Sequence, residues 1–147
     1  MGVLNRMVVT LGVVVWCVGL AAPAFPAQES PGPQRVDIPA TATTLEGVPT
    51  VRIDAGAGGA TRHVLSASEA SKSRLTVGLV DGRYYWTSRG NRPLEVSASG
   101  AFTYLASDPG HYIRFTRLND KISYAEHVDL ASGSVTWWGE LRIVAGK

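Results

Sequence analysis

The sequence predicts an all-β domain, a small antiparallel meander that closes as a barrel or a sandwich. Three observations predict it. From Arg74 onward apolar and polar residues alternate with a period of two, short runs of turn-forming residues interrupt that alternation, and no long stretch carries a helical period. A chain of 147 residues with 45% hydrophobic and 18% charged residues and one Cys suits a globular domain. It argues against a disordered chain, a polytopic membrane protein, a disulfide scaffold or a collagen-like repeat.

The N-terminus has the three-part layout of a secretory signal peptide. Arg6 is the charge of a short leading region, Met7 to Leu20 carries no charge, and small residues follow at Ala21-Ala22-Pro23-Ala24. The apolar run is shorter than the about 20 residues a spanning helix needs. Residues 1–24 are therefore expected to be a signal peptide, with Ala27 as a second possible cleavage position. This predicts export to the periplasm, the cell envelope or the medium, with membrane contact only through that segment before cleavage. Cys17 lies inside it, so the processed domain would be disulfide-free. Without Arg6, the 14 basic residues become 13 against 12 acidic ones, and no run of five Lys/Arg occurs. Nucleic acid is not an expected partner.

Residues 25–47 read as a flexible leader, because Pro31, Pro33 and Pro39 remove backbone donors and fix φ, with one short edge strand at Val36 to Ile38. The β domain is expected over 48–147. Val48 to Asp54 reads as a strand with Val51 and Ile53 on one face, and Thr61 to Ala67 as another. Ser66 and Glu69 have capping-box spacing, which predicts a helical turn over 66–73.

Three hairpins follow. Asp81-Gly82 between alternating runs predicts a type I′ turn, with Leu79 opposite Tyr84 and Val77 opposite Trp86. Ser107-Asp108-Pro109-Gly110, as a four-residue loop, sets Tyr104 opposite Ile113 and Phe102 opposite Phe115. Ala131-Ser132-Gly133-Ser134, read the same way, sets Val128 opposite Trp137, Tyr124 opposite Leu141 and Gly139 opposite Glu126.

No G-x-S-x-G, H-E-x-x-H, phosphate-binding glycine loop or candidate cysteine nucleophile occurs in the sequence, which names no reaction and no cofactor. His111 shares the inward parity of Ile113 and Phe115, whereas His127 faces the other way, so the two are not expected to converge on a metal. A hydrolase would need Glu126 or Asp129 beside His127. Glu126 has inward parity between Tyr124 and Val128, and a carboxylate aimed at an apolar interior is costly unless paired. It reads as a polar anchor or an acid of raised pKa in a ligand cavity, as a rim residue, or as the partner of an inward Arg. Trp138 has outward parity beside His127, and Tyr85 is outward on its own hairpin; such rings can stack on a sugar, an aromatic ligand or a protein. Arg89, Asn91 and Arg92 group in the loop after Trp86, where Arg forks suit carboxylates or phosphates.

The expectation is an exported, non-catalytic binding or interaction module that makes surface contact through Trp138, His127 and Tyr85 near the 89–92 loop, its partner an unknown protein, glycan or small molecule. The alternative is a carrier with an apolar or amphipathic ligand in the β interior, anchored by Glu126. A lined cavity favours the carrier and a packed interior favours the surface module.

Overall fold

A computed structural model describes residues 31–146; the expected signal peptide and Cys17 lie outside them. Nine strands form among the described residues. They are β1 (Ala42–Gly56), β2 (Gly59–Val64), β3 (Leu75–Val80), β4 (Arg83–Trp86), β5 (Arg92–Ser99), β6 (Phe102–Asp108), β7 (His111–Leu118), β8 (Lys121–Leu130) and β9 (Gly133–Ala145). A short helix, α1 (Ala67–Lys72), precedes β3, and a 3₁₀ turn (Thr87–Arg89) follows β4. The helix starts as its spacing predicts: Glu69 N–H donates to Ser66 Oγ, and Ser66 N–H donates to Glu69 Oε2 at 2.8 Å.

The strands β3 to β9 form an antiparallel meander. β1 pairs with β3 through Thr44 to Gly47 and with β9 from Ala42 to Gly56, so eight strands close as a barrel rather than a sandwich. β2 folds back on Val51 to Gly56 and stands outside the closed ring. At the upper end lie the β1–β2, β6–β7 and β8–β9 turns and the 3₁₀ turn. The β3–β4, β5–β6 and β7–β8 turns lie at the lower end.

The first hairpin has the register read from the sequence, and Asp81 and Gly82 both adopt positive φ, 52° and 73°. The second differs by one residue. Ser107 is an extra residue between the Ala106–Tyr112 and Asp108–His111 pairs, which puts Leu105 opposite Ile113 and Thr103 opposite Phe115. Phe102 and Tyr104 therefore face outward. Asp108 stabilises the bulge by accepting from Gly110 N–H at 3.0 Å and contacting His111 Nδ1 at 2.7 Å. The third hairpin differs by two residues, because its turn is only Ala131-Ser132, closed by the Leu130–Gly133 pair. Inward parity is unchanged, but Glu126 now faces Trp137 instead of Gly139, and Tyr124 faces Gly139. Gly133 permits this with φ of 154° and with a close approach to the Ala55 carbonyl that any Cβ would block.

The interior is packed. Trp86, Tyr124, Phe115, Leu45, Leu75, Leu105, Ile113 and Val77 are essentially inaccessible and form one cluster. The barrel also recruits chain that reads as leader. β1 starts at Ala42, and Gln34 exchanges two 2.8 Å backbone hydrogen bonds with Arg117 near the lower end of β7. Val36 is buried there against the core, its carbonyl accepting from Thr103 Oγ1 at 2.6 Å.

One irregularity shapes the upper end. Pro49 pairs with Gly139 and Val51 with Trp138, leaving Thr50 as a bulge. Proline lacks the ladder donor, which confines it to such positions. Beyond the bulge the parity of β1 inverts. Val51 and Ile53 share the outer side with Trp138 and Thr136, and Arg52 and Asp54 share the inner side with Trp137 and Val135. A side chain at residue 139 would collide with the Val48 carbonyl and lie 2.7 Å from Pro49 Cα. Gly139→Ala is therefore expected to destabilise the protein by about 1–3 kcal/mol, since backbone must move to admit the methyl group. Chemical denaturation checks this, and an unchanged midpoint would contradict the close packing of β1 on β9.

Candidate functional site

Trp86 is the last residue of β4 and points into the barrel. The next residues turn as a 3₁₀ segment that ends on Gly90 and Asn91, both at positive φ (78° and 58°). This turn keeps Arg89 over the mouth instead of in solvent. Its Nε lies 3.0 Å from Glu126 Oε1, and its Nη2 donates to Oε2 at 3.1 Å. Trp86 Nε1 donates to Oε1 at 3.1 Å. Glu126 is 0% exposed, so the carboxylate that the sequence placed inward is fully enclosed and takes the inward-Arg option. Among the described residues, two polar atoms beside it are buried without a partner: Tyr124 Oη, two residues away on the inward face, and Trp137 Nε1, directly across the β8–β9 pair. The guanidinium of Arg89 lies 5.0 Å from the Trp137 ring centroid and that of Arg52 5.8 Å.

Burial pushes the Glu126 carboxyl up to about 7; Arg89 and the Trp86 indole N–H pull it only part of the way back. Burial also raises the Tyr124 phenol, with the nearby Glu126 charge adding to the effect.

Above this pair the barrel mouth opens as a cleft of about 550 Å³, lined by Trp86, Arg89, Arg92, His111, Val128, Asp129, Leu130 and Ala131. Arg92 pairs with Trp86 in the β4–β5 register and shares its inward parity, and His111 has the inward parity read from the sequence. One side of the cleft is basic, from the 3₁₀ turn, β5 and β7. The other is largely apolar, from β8 and its turn. A second concavity, about 480 Å³, lies at the lower end between Arg117, Lys121, Glu140 and Arg142. Its Lys121 and Glu140 pair with each other at 2.6 Å in solvent, and it overlies no buried charge.

The other residues singled out in the sequence do not form one surface. Tyr85 is outward on β4, four strands from β8 in either direction around the ring, so it lies across the barrel from His127. Arg89 is turned to the interior, away from Tyr85. Asn91 is exposed and serves the turn, its N–H donating to the Trp86 carbonyl at 3.0 Å. Trp138 is outward and 38% exposed, but it stands across from Ala125 and Val51 rather than His127. The Arg114 guanidinium covers it at 5.2 Å. His127 stacks on Tyr112 at 5.0 Å.

His127 also bridges Thr136 Oγ1 (2.9 Å, from Nδ1) and Asp129 Oδ1 (3.1 Å, from Nε2). Of the two acids considered for a hydrolase, Asp129 joins it and Glu126 does not. This row lies on the outer face of a sheet whose backbone N–H groups pair with β7 and β9, and of its members Asp129 also borders the mouth cleft. Among the described residues no group of three His, Cys, Asp or Glu is placed to hold a metal. No family model matches this chain, and comparison with curated proteins and with solved structures finds no match either.

Two outcomes test the buried pair. A carboxyl whose folded pKa is raised binds more protons in the folded state. Its stabilising contribution is full below about pH 4.5 and is lost as pH rises to about 7. Relative to Glu126→Gln, the wild-type melting temperature should therefore fall across that window; parallel profiles would contradict the enclosure of Glu126. Arg89→Ala should cost more at pH 8 than at pH 5, because at the lower pH Glu126 can neutralise itself by protonation. At the higher pH the loss approaches the about 3–5 kcal/mol of an uncompensated buried charge. Equal losses at the two pH values would refute the pairing.

Proposed function

We propose that this chain is a non-catalytic binding protein whose ligand, a small amphipathic molecule, seats in the mouth of the barrel. The observation that carries this reading is the cleft itself: about 550 Å³ of half-open space, with one apolar wall, directly over the Arg89–Glu126 pair. That volume is within the range typical of small-molecule sites, and polar groups converging on an apolar pocket are the usual means of orienting a ligand. The ligand is held above the interior, not within it, because Trp86, Phe115 and Tyr124 fill the barrel below. Surface contact through Trp138 and His127 is less well supported, since Arg114 and Tyr112 already occupy those rings and Tyr85 lies across the barrel. The signal-peptide pattern of residues 1–24 supports an exported setting for this activity, as a periplasmic, envelope or secreted protein.

The fluorescent probe 1-anilinonaphthalene-8-sulfonate tests the site. It should bind with one molecule per chain. Leu130→Asp, at an exposed position in the apolar wall, should weaken binding by about tenfold or more, while Trp138→Ala leaves it unchanged. Binding that survives Leu130→Asp and is lost in Trp138→Ala would move the site to the outer face and overturn the mouth assignment.

A further inference from the structure

Among the described residues, one cation at the mouth has no partner. Arg89 is engaged by Glu126, His111 Nδ1 lies 2.7 Å from Asp108 Oδ1, and Asp129, which also borders the cleft, has Oδ1 3.1 Å from His127 Nε2. Arg92 also lines the cleft, at the inward rim of β5, and among the described residues its side chain has neither an ion-pair partner nor a hydrogen bond. Arg89 spends Nε and Nη2 on Glu126 and Nη1 on the Ser88 carbonyl, which leaves part of its five-donor fork unused; its side chain is 27% exposed.

We infer that the ligand of the mouth is a monocarboxylate with an apolar tail, its carboxylate gripped by Arg92 with Arg89 and His111 at its side, and its tail laid against Val128, Leu130 and Ala131. This rests on the mouth being the binding site. The carboxylate is chosen over a dianion because a single guanidinium at the mouth lacks a partner, and because a planar two-oxygen acceptor matches the guanidinium fork. Asp129 and Asp108 stand nearby and keep their negative charge wherever the imidazoles they contact are neutral, which further disfavours a dianion. The two walls have distinct chemistry: a neutral amphiphile would leave Arg92 without an acceptor, and an amine would meet two guanidinium groups.

Calorimetry with octanoate, octanol and octylamine separates these cases, with 1-anilinonaphthalene-8-sulfonate as the probe of the cleft itself. Octanoate should bind on the order of tenfold more tightly than octanol, with octylamine the weakest. Arg92→Gln should erase the preference for octanoate over octanol. Arg83→Gln, which makes the same charge change at the far end of the barrel, should preserve it. Octanol binding as tightly as octanoate while the fluorescent probe still binds would overturn the carboxylate assignment and leave the mouth as the site. Failure of all four compounds to bind would overturn both. A preference for octanoate that persists in Arg92→Gln and disappears in Arg83→Gln would place recognition elsewhere and refute the role given to Arg92.

Discussion

The pairing of β1 with β9 is the constraint on which the rest of the molecule depends. A seven-strand meander over 75–145 would have two open edges and an apolar face wider than its loops could cover. β1 satisfies both edges at once, β3 with its first half and β9 along its whole length, and so turns a sheet into a closed wall. The barrel is then narrow enough for Trp86, Phe115 and Tyr124 to fill, as expected when eight strands close. The same strand determines why the two ends differ. At Pro49 and Thr50 it changes face, releases β3 and takes β2 as its neighbour, and the upper end loses the regular stacking of the lower one.

That loosened end is where polar chemistry enters the interior. A carboxylate out of reach of water must be protonated or paired, and Glu126 has both routes open: a guanidinium in contact and a pKa brought near neutrality. Its partners come from the end of β4 and the turn after it, four strands away around the ring. The Glu126 contacts with Trp86 and Arg89 therefore span the barrel from wall to wall and fix the position of the turn that forms one side of the mouth. The chemistry of the cleft and the integrity of the upper end are thus coupled through one side chain.

Much of this was legible in the sequence, for reasons that can be stated residue by residue. Side-chain parity has a period of two and survives a register shift of two, so the inward placement of Glu126, His111 and Tyr124 was readable even though the β8–β9 turn is shorter than its composition suggests. Partners were less readable. A bulge changes the count by one, and nothing in Ser107-Asp108-Pro109-Gly110 marks Ser107 as the extra residue; the outward turn of Phe102 and Tyr104 followed from that alone. The pairing of Glu126 with Arg89 joins residues 37 apart through closure of the ring, which no local pattern reports. Arg89, Asn91 and Arg92 looked like one polar turn, yet the backbone sends the first inside, uses the second for its own geometry and leaves the third at the rim. The β1–β9 seam left only an indirect trace, a glycine at residue 139 in an otherwise bulky strand.

Val36, sealing the lower end, has a kinetic consequence. The segment that carries it and the strand that follows are made before their partners on β7 and β9, so this stretch must wait for most of the barrel to emerge before it can dock. Closing a loop that spans nearly the whole domain precedes the gain from the seam, which is the signature of a slow-folding, high-contact-order topology. During that interval the apolar lining of the unfinished wall is open to water and to other chains, and it stays so until β1 meets β9.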